Sequence, residues 1–137
     1  IAYRDTTNSA LKIARSTDRG QSFSLSSLDS PAGLAPAMTV DGNNVFIASS
    51  SDELRLARSF DSGQSFLHTT IDPNGREPSL LLTGNTIHLA FYDFVDSSLR
   101  FGVSTDGGEH LKLKDKMYSR HHSMSLIRSW VIYQEEK

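Results

Sequence analysis

The sequence predicts an all-β protein built from a repeated four-stranded antiparallel unit. An octapeptide typical of turns occurs three times, and its starts lie 43 and then 45 residues apart. A fixed period in this range is typical of repeat architectures. Between the octapeptides lie short apolar segments bounded by Gly, Pro, Asn and Asp, and none of them shows the 3.6-residue period of an amphipathic helix. We therefore expect strands throughout the chain, connected by tight turns.

The repeated octapeptide has the pattern of a turn between two strands. It is complete at residues 16–23 and 59–66 and weaker at residues 104–111, where His110 and Leu111 replace the Ser and the Phe. Its Asp can accept hydrogen bonds from N–H groups one or two residues on, its Gly can take a positive φ, and its aromatic residue can pack over the turn. We call the three octapeptides the box turns. Their defining residues are Ser16, Asp18, Gly20, Phe23, Ser59, Asp61, Gly63, Phe66, Ser104, Asp106 and Gly108.

The strands can be placed in chain order by aligning the repeats on these turns. We name the four strands of one repeat A to D, with the box turn joining C to D. Residues 1–16 align without gaps with residues 89–104, so the chain begins on a B strand. The order is then B-C-D, A-B-C-D, A-B-C-D and A-B. The predicted strands, apart from those that follow the second and third box turns, are 1–5, 11–15, 23–28, 37–40, 45–49, 54–58, 79–82, 87–92, 99–103, 123–126 and 130–133.

Connectors that contain Pro and Gly join the repeats. Residues 31–36 hold Pro, Gly and Pro with the same spacing as residues 73–78, 42 positions later. These residue types interrupt strands and fix turns. Each following A strand ends in a Gly-Asn pair that starts at Gly42 or Gly84, which predicts a tight hairpin to the B strand. The third connector, residues 115–122, has neither Pro nor Gly.

Four antiparallel strands in a repeat of this length describe one blade of a β-propeller. The chain holds about three blades, with a partial blade at 1–30, complete blades at 31–72 and 73–116, and a partial blade at 117–137. Propellers usually close with about four to eight blades. We therefore expect part of a larger ring, which other blades or another chain must complete.

Composition and charge exclude several classes of function. The 137 residues carry a formal net charge of −2, which gives no reason to expect a nucleic acid or an anionic membrane surface as partner. No apolar run approaches the roughly 20 residues that span a bilayer. The chain has no cysteine, so disulfides and thiolate metal sites are excluded, and no pattern predicts another metal site or a cofactor.

The pattern of the box turns, S-x-D-x-G-x-S-F, resembles the Asp box of the bacterial neuraminidase (BNR) repeat family. The resemblance extends over nearly the whole chain, in about three repeats, and implies a sialidase-like β-propeller of six blades, of which about three are present. The family includes sialidases and many propellers that are not enzymes, so the resemblance implies a fold and leaves the activity open. It also implies an extracellular, periplasmic or cell-surface location.

A ligand site is expected at the end of the blades opposite the box turns. Strand direction alternates within a blade, so the A–B and C–D turns share one end and the B–C and D–A links share the other. Loops clustered at one end of a rigid scaffold commonly carry function. The candidate ligand-binding residues at this end are Arg4, Asp5, Arg76, Tyr92, Asp93, Arg120 and Glu135.

The resemblance to sialidases adds catalytic candidates at the same end. Sialidases bind the sugar carboxylate with three Arg, use an Asp and a Tyr–Glu pair in catalysis, and carry an Arg-Ile-Pro motif. Arg76 and Pro78 match its Arg and Pro, although Glu77 replaces the Ile, and Asp5 and Asp93 are candidate acids. Each also has a structural explanation, because Pro recurs in the connectors and Asp is common at strand ends. We expect a non-catalytic module that binds a carbohydrate or protein ligand or has a structural role. The alternative is a fragment of an exo-sialidase or related glycoside hydrolase.

Overall fold

The computed structural model of the protein describes residues 1–29 and 34–114, which form three antiparallel β-sheets and no helix. The predicted all-β class is therefore confirmed. The strands follow one another in chain order within each sheet, three in sheet 1 and four in each of sheets 2 and 3. Sheet 1 holds β1 (Ala2–Asp5), β2 (Ala10–Arg15) and β3 (Ser24–Asp29). Sheet 2 holds β4 (Leu34–Asp41), β5 (Asn44–Ser50), β6 (Leu54–Ser59) and β7 (Leu67–Asp72). Sheet 3 holds β8 (Gly75–Thr83), β9 (Thr86–Asp93), β10 (Ser98–Ser104) and β11 (Lys112–Leu113).

Tight hairpins join the first two strands of sheets 2 and 3. In sheet 2, Asp41 pairs with Asn44 across a turn in which Gly42 has a φ of 55°. In sheet 3, the turn between β8 and β9 has Gly84 at the same φ of 55°. A positive φ is unfavourable for a residue with a Cβ atom, which explains the glycine at the first position of each turn. The predicted Gly-Asn hairpins are confirmed.

The first strands of sheets 2 and 3 begin earlier than the sequence predicts. The pattern assigns Pro36 and Pro78 to connectors, but β4 and β8 continue through them with a shift of register. The residue before each Pro has a positive φ, 47° at Ala35 and 50° at Glu77. Both strands lie at the edge of their sheets, where a bulge can accommodate a Pro that has no N–H to donate. The bulge is the reason that the Pro does not end the strand.

The three sheets pack face to face in chain order, with sheet 2 in the middle. One core joins sheets 1 and 2 around Leu11, Ile13 and Ile47. A second core joins sheets 2 and 3. Its buried side chains are Phe46, Ala48, Leu54, Leu56, Ile87, Leu89 and Phe91. Because both faces of sheet 2 are covered, β5 is buried from Val45 to Ser50 and its sequence does not alternate between apolar and polar residues.

Gly75 marks a very close approach of sheet 3 to sheet 2. A Cβ atom at this position would lie 2.8 Å from Cβ of Leu54 and 2.9 Å from Cδ2 of Phe91. The absence of a side chain therefore lets the start of β8 pass directly over the core between the two sheets. This contact fixes the position of Arg76, the next residue of the strand.

Some predicted features lie outside the described residues. They are residues 30–33 around the first connector, the third connector at 115–122, and the strands at 123–126 and 130–133. Within the ranges that the structure describes, no helix is long and apolar enough to cross a bilayer.

Candidate functional site

The antiparallel strands place the turns at two opposite ends of the sheets. At one end, Ser62 of a box turn donates its backbone N–H to the carbonyl oxygen of Asn43 at 2.9 Å, so the box turn contacts the Gly-Asn hairpin. At the other end, Nη2 of Arg76 donates to the carbonyl oxygen of Asp52 at 3.2 Å. Strand β6 runs from the second of these ends to the first. We call the end with the box turns the box end and the end with Arg76 the connector end. The box turns and Arg76 therefore lie at opposite ends of the sheets.

In the central box turn, one carboxylate and one hydroxyl hold the loop. Oδ1 of Asp61 accepts the backbone N–H of Ser65 at 2.9 Å, and Oδ2 accepts the Ser65 hydroxyl at 2.6 Å. Oγ of Ser59 donates to Asp61 at 2.7 Å and accepts the N–H of Gly63 at 2.8 Å. Gly63 has a φ of 79°, and the ring of Phe66 lies against it. The packing of the aromatic residue over the turn agrees with the prediction.

The first and third box turns repeat this bonding. Asp18 and Asp106 each accept the N–H of the residue four positions on, at 2.9 and 3.1 Å. The prediction of acceptance from one or two residues on is wrong, and the N–H two residues on, that of Gly20 or Gly108, donates instead to the hydroxyl of Ser16 or Ser104. In the third turn, Nδ1 of His110 lies 2.9 Å from Oδ2 of Asp106 and takes the place of the Ser hydroxyl. The weakened sequence therefore keeps the same contacts.

Hydrogen bonds lower the pKa of all three box carboxylates. For Asp61 the largest cause is the bond from the Ser65 hydroxyl, and the equivalent hydroxyl acts on Asp18. For Asp106 the largest cause is the hydroxyl of Ser104. The carboxylates are ionised at neutral pH, and their bonds are made within their own turns. This geometry fits the turn-forming role predicted for them.

We expect acid to destabilise the protein through these three turns. A carboxylate with a lowered folded pKa contributes stability above the unfolded Asp pKa of about 3.9, and that contribution is lost as the pH falls through the folded pKa. The urea concentration at the midpoint of unfolding should therefore decrease as the pH falls below about 4. A variant with Asp18→Asn, Asp61→Asn and Asp106→Asn should have a lower midpoint at pH 7 and a flatter profile below pH 4. The control Asp41→Asn removes an exposed carboxylate at the box end; a profile flattened equally by this control would contradict the prediction.

At the connector end, Asp5 and Asp93 close two matching loops. Oδ1 of Asp5 accepts the N–H groups two and three residues on, at 3.0 and 3.3 Å, and Oδ1 of Asp93 does the same at 3.1 and 3.2 Å. The fourth residue after each Asp has a positive φ, 48° at Ser9 and 52° at Ser97. The pKa of Asp5 is lowered, with the side chain of Asn8 as the largest cause. Both candidate acids therefore have bonds that shape their own turns.

A repeated cation that the sequence analysis did not single out lies beside these loops. Lys12, Arg55 and Arg100 occupy the same position of the C strands, 43 and 45 residues apart like the box turns. Nζ of Lys12 lies 2.6 Å from Asp5, and Nε of Arg55 lies 2.7 Å from Glu53. The equal spacing is the signal that would have revealed these residues in the sequence.

Arg100 joins sheet 3 to sheet 2 through two carboxylates. Its Nη1 lies 2.8 Å from Oδ2 of Asp72, at the end of β7, and 3.6 Å from Oδ2 of Asp93. The side chains of Asp72 and Asp93 are only 6% and 3% exposed. The guanidinium carbon also lies 5.8 Å from the centroid of the Phe91 ring. A single cation thus offsets two buried negative charges at the boundary of the sheets.

Arg76 is held by carbonyl oxygens and an aromatic ring. Its Nη1 donates to the carbonyl oxygen of Gly75 at 2.8 Å, and its Nη2 donates to Asp52 as described above. Its Cζ lies 4.7 Å from the centroid of the Phe94 ring. In the part of the chain that the structure describes, no carboxylate pairs with it. Phe94 and Val95 are 49% and 63% exposed, and we call Arg76, Phe94 and Val95 the Arg76 patch.

The predicted ligand-binding residues fall into two groups. Arg76 and Tyr92 are directly paired across β8 and β9, and Asp93 follows on the same strand, so these three lie together in sheet 3. Arg4 and Asp5 lie on β1 of sheet 1, where Arg4 is exposed. Two further candidates lie outside the described residues: Arg120 and Glu135.

A groove of about 420 Å³ opens between sheets 1 and 2 at the box end. It is lined by Ile1, Met38 and Val40 together with parts of two box turns. Nε of Arg15 reaches from sheet 1 to the carbonyl oxygen of Ser62 at 2.9 Å. None of the predicted ligand-binding residues lines this groove, so we place the candidate site at the connector end.

Three of the carboxylates at the connector end are held by bonds within the chain. Asp5, Asp72 and Asp93 accept backbone N–H groups and form ion pairs. Over residues 1–29 and 34–114, no group of three His, Cys, Asp or Glu could hold a metal ion. The Arg76 patch combines an exposed apolar surface with a charged guanidinium, which is a composition suited to recognition.

Comparison with known proteins gives no match to a family model, a curated protein or a solved structure. The functional argument therefore rests on the residues and their geometry.

Proposed function

We propose that this chain is a non-catalytic binding module whose carbohydrate or protein ligand docks at the connector end, on the Arg76 patch. The observation that carries the proposal is the state of Arg76, which is held in place by two carbonyl oxygens and the face of Phe94. Arg and aromatic residues are enriched among the residues that dominate binding energy. A side chain already fixed in place also loses little conformational entropy on binding.

We further propose that the three sheets are blades of a sialidase-like, Asp-box β-propeller. Support comes from their face-to-face packing and from box turns and ion pairs that recur with the same two spacings. In this proposal other blades or another chain complete the ring. The protein would then act outside the cell, in the periplasm or at the cell surface.

The candidate acids favour binding over hydrolysis. Glycoside hydrolysis commonly uses two carboxyl groups on either side of the scissile bond, one of which donates a proton. Asp5 has a lowered pKa, and Asp93 accepts two backbone N–H bonds beside the cation of Arg100. The exo-sialidase fragment remains the alternative because Arg76 and Pro78 match part of the sialidase motif.

Arg76→Ala should weaken ligand binding while leaving the protein folded. The labelled chain is applied to an array that carries oligosaccharides in one half and peptides in the other. Binding to at least one class should be saturable and should weaken about tenfold or more in the variant, since it removes a fixed cation and its stacking contact. Lys112→Ala, which removes an exposed positive charge from sheet 3, is the control and should bind normally.

Two results would contradict the proposed function. The first is the absence of any Arg76-dependent binding in both halves of the array. The second is release of the fluorophore from a fluorogenic sialoside by the chain, lost in Arg76→Ala, which would support the alternative.

A further inference from the structure

The loop between β9 and β10 differs from its counterpart in sheet 1 in its exposed residues. Both loops follow an Asp that accepts two backbone N–H groups, and both contain a Ser with positive φ at the same place. Sheet 1 has Thr6 and Thr7 at the positions that Phe94 and Val95 occupy in sheet 3. The loop geometry therefore does not require apolar residues there. Phe94 and Val95 are nonetheless about half exposed or more, and exposed apolar groups clustered with a charged residue are typical of interaction sites.

The backbone that presents these two side chains is fixed on several sides. The N–H of Phe94 donates to the carbonyl oxygen of Asn74 at 3.3 Å, and the N–H of Val95 donates to Oδ1 of Asp93 at 3.1 Å. Arg76 then lies over the ring of Phe94. A partner would meet a surface that is already ordered, which reduces the entropic cost of binding.

The charge of Arg76 distinguishes it from the cation that recurs on the C strands. Lys12, Arg55 and Arg100 each pair with a carboxylate of the chain. Arg76 bonds to carbonyl oxygens, and no carboxylate within residues 1–29 and 34–114 forms an ion pair with it. Two of its five N–H groups are used in those bonds, and the others are suited to a carboxylate supplied by a ligand.

We propose, resting on the proposed function, that the Arg76 patch binds a protein segment that presents an acidic side chain next to an apolar one. The carboxylate bonds to the guanidinium of Arg76, and the apolar side chain covers Val95 and the edge of Phe94. A sugar acid would satisfy Arg76 in the same way but would leave Val95, at 63% exposure, against a polar ligand. The apolar half of the patch is therefore the reason for choosing a protein partner.

The test is selection of a random decapeptide phage library on the full chain. Selected peptides should contain Asp or Glu within about two residues of Leu, Ile, Phe or Met, the spacing over which one peptide can reach both halves of the patch. Synthetic versions should bind about tenfold or more weakly to Arg76→Gln, and also to the pair Phe94→Thr and Val95→Thr. The Thr pair places at these two positions the residues found in the sheet 1 loop, so the loop should still fold. Lys112→Gln should bind as the unaltered chain does.

Each other outcome has a defined meaning. Selection of no peptides, or of peptides whose binding ignores both variants, overturns the proposal. Arg76-dependent binding of an oligosaccharide on the array, with no effect of the Thr pair, overturns it while the proposed function stands. If the chain binds neither peptides nor oligosaccharides, this proposal and the proposed function are both overturned.

Discussion

Replacing Arg100 by Met should lower the free energy of unfolding by about 3 kcal/mol, because removal of one partner leaves buried charge without compensation. The side chains of Asp72 and Asp93 are almost fully buried, and Arg100 is the cation that contacts both of them. Met keeps much of the aliphatic stem, so the loss reports on charge more than on volume. Urea unfolding at pH 7 measures the effect.

Lys12→Met is the matched control, since Lys12 occupies the same strand position in sheet 1. Its ion pair with Asp5 is more exposed, at 24% and 16% for the two side chains, and its loss should cost less. Adding Asp72→Asn to Arg100→Met should restore part of the stability, because it removes one of the uncompensated charges. Equal losses for Arg100→Met and Lys12→Met would contradict the assignment of Arg100 as the cation that joins the sheets.

Replacing Phe91 by Ala should cost about 3–5 kcal/mol, the range for a fully buried aromatic side chain. Phe91 is 0% exposed in the core between sheets 2 and 3, where it lies close to Gly75. Its removal leaves a cavity beside the close approach of Gly75 to sheet 2. Urea unfolding with a constant m-value checks the result, since a constant slope shows that the unfolding transition itself has not changed.

Phe94→Ala is the control for Phe91→Ala. The two Phe residues lie three positions apart, but Phe94 is 49% exposed and should contribute little to the free energy of unfolding. According to the proposed function, Phe94→Ala should weaken ligand binding instead. A stability loss at Phe94 as large as that at Phe91 would contradict the division between core and binding surface.

The features that the sequence predicts best are those whose bonds stay within a few neighbouring residues. The box turns are of this kind, because Ser59, Asp61 and Gly63 bond to one another inside one octapeptide. Turn residues of this type carry their geometry in their own side chains and φ preferences. The all-β class and the Gly-Asn hairpins follow from the same kind of local information.

Features that depend on packing between elements could not be predicted in the same way. Arg100 and Asp72 are 28 residues apart and belong to different sheets, so their contact requires the sheets to be assembled first. The bulges at Pro36 and Pro78 depend on edge positions in folded sheets. The stacking of Arg76 on Phe94 likewise requires the loop after β9 to reach the start of β8. In each case the residues are visible in the sequence, but their partners are set by tertiary structure.

The position of sheet 2 between two neighbours has a consequence for how the protein opens. In a linear array of packed units, stability is approximately the sum of the units and of the interfaces between nearest neighbours. Opening sheet 2 disrupts both the core that it shares with sheet 1, around Leu11 and Ile47, and the core that it shares with sheet 3, around Phe46 and Phe91. Opening sheet 1 disrupts only the core between sheets 1 and 2. The amides of β5, buried from Val45 to Ser50, should therefore exchange hydrogen most slowly, because they are exposed only when both cores open. The amides of β1 should exchange faster, through local openings of lower free energy.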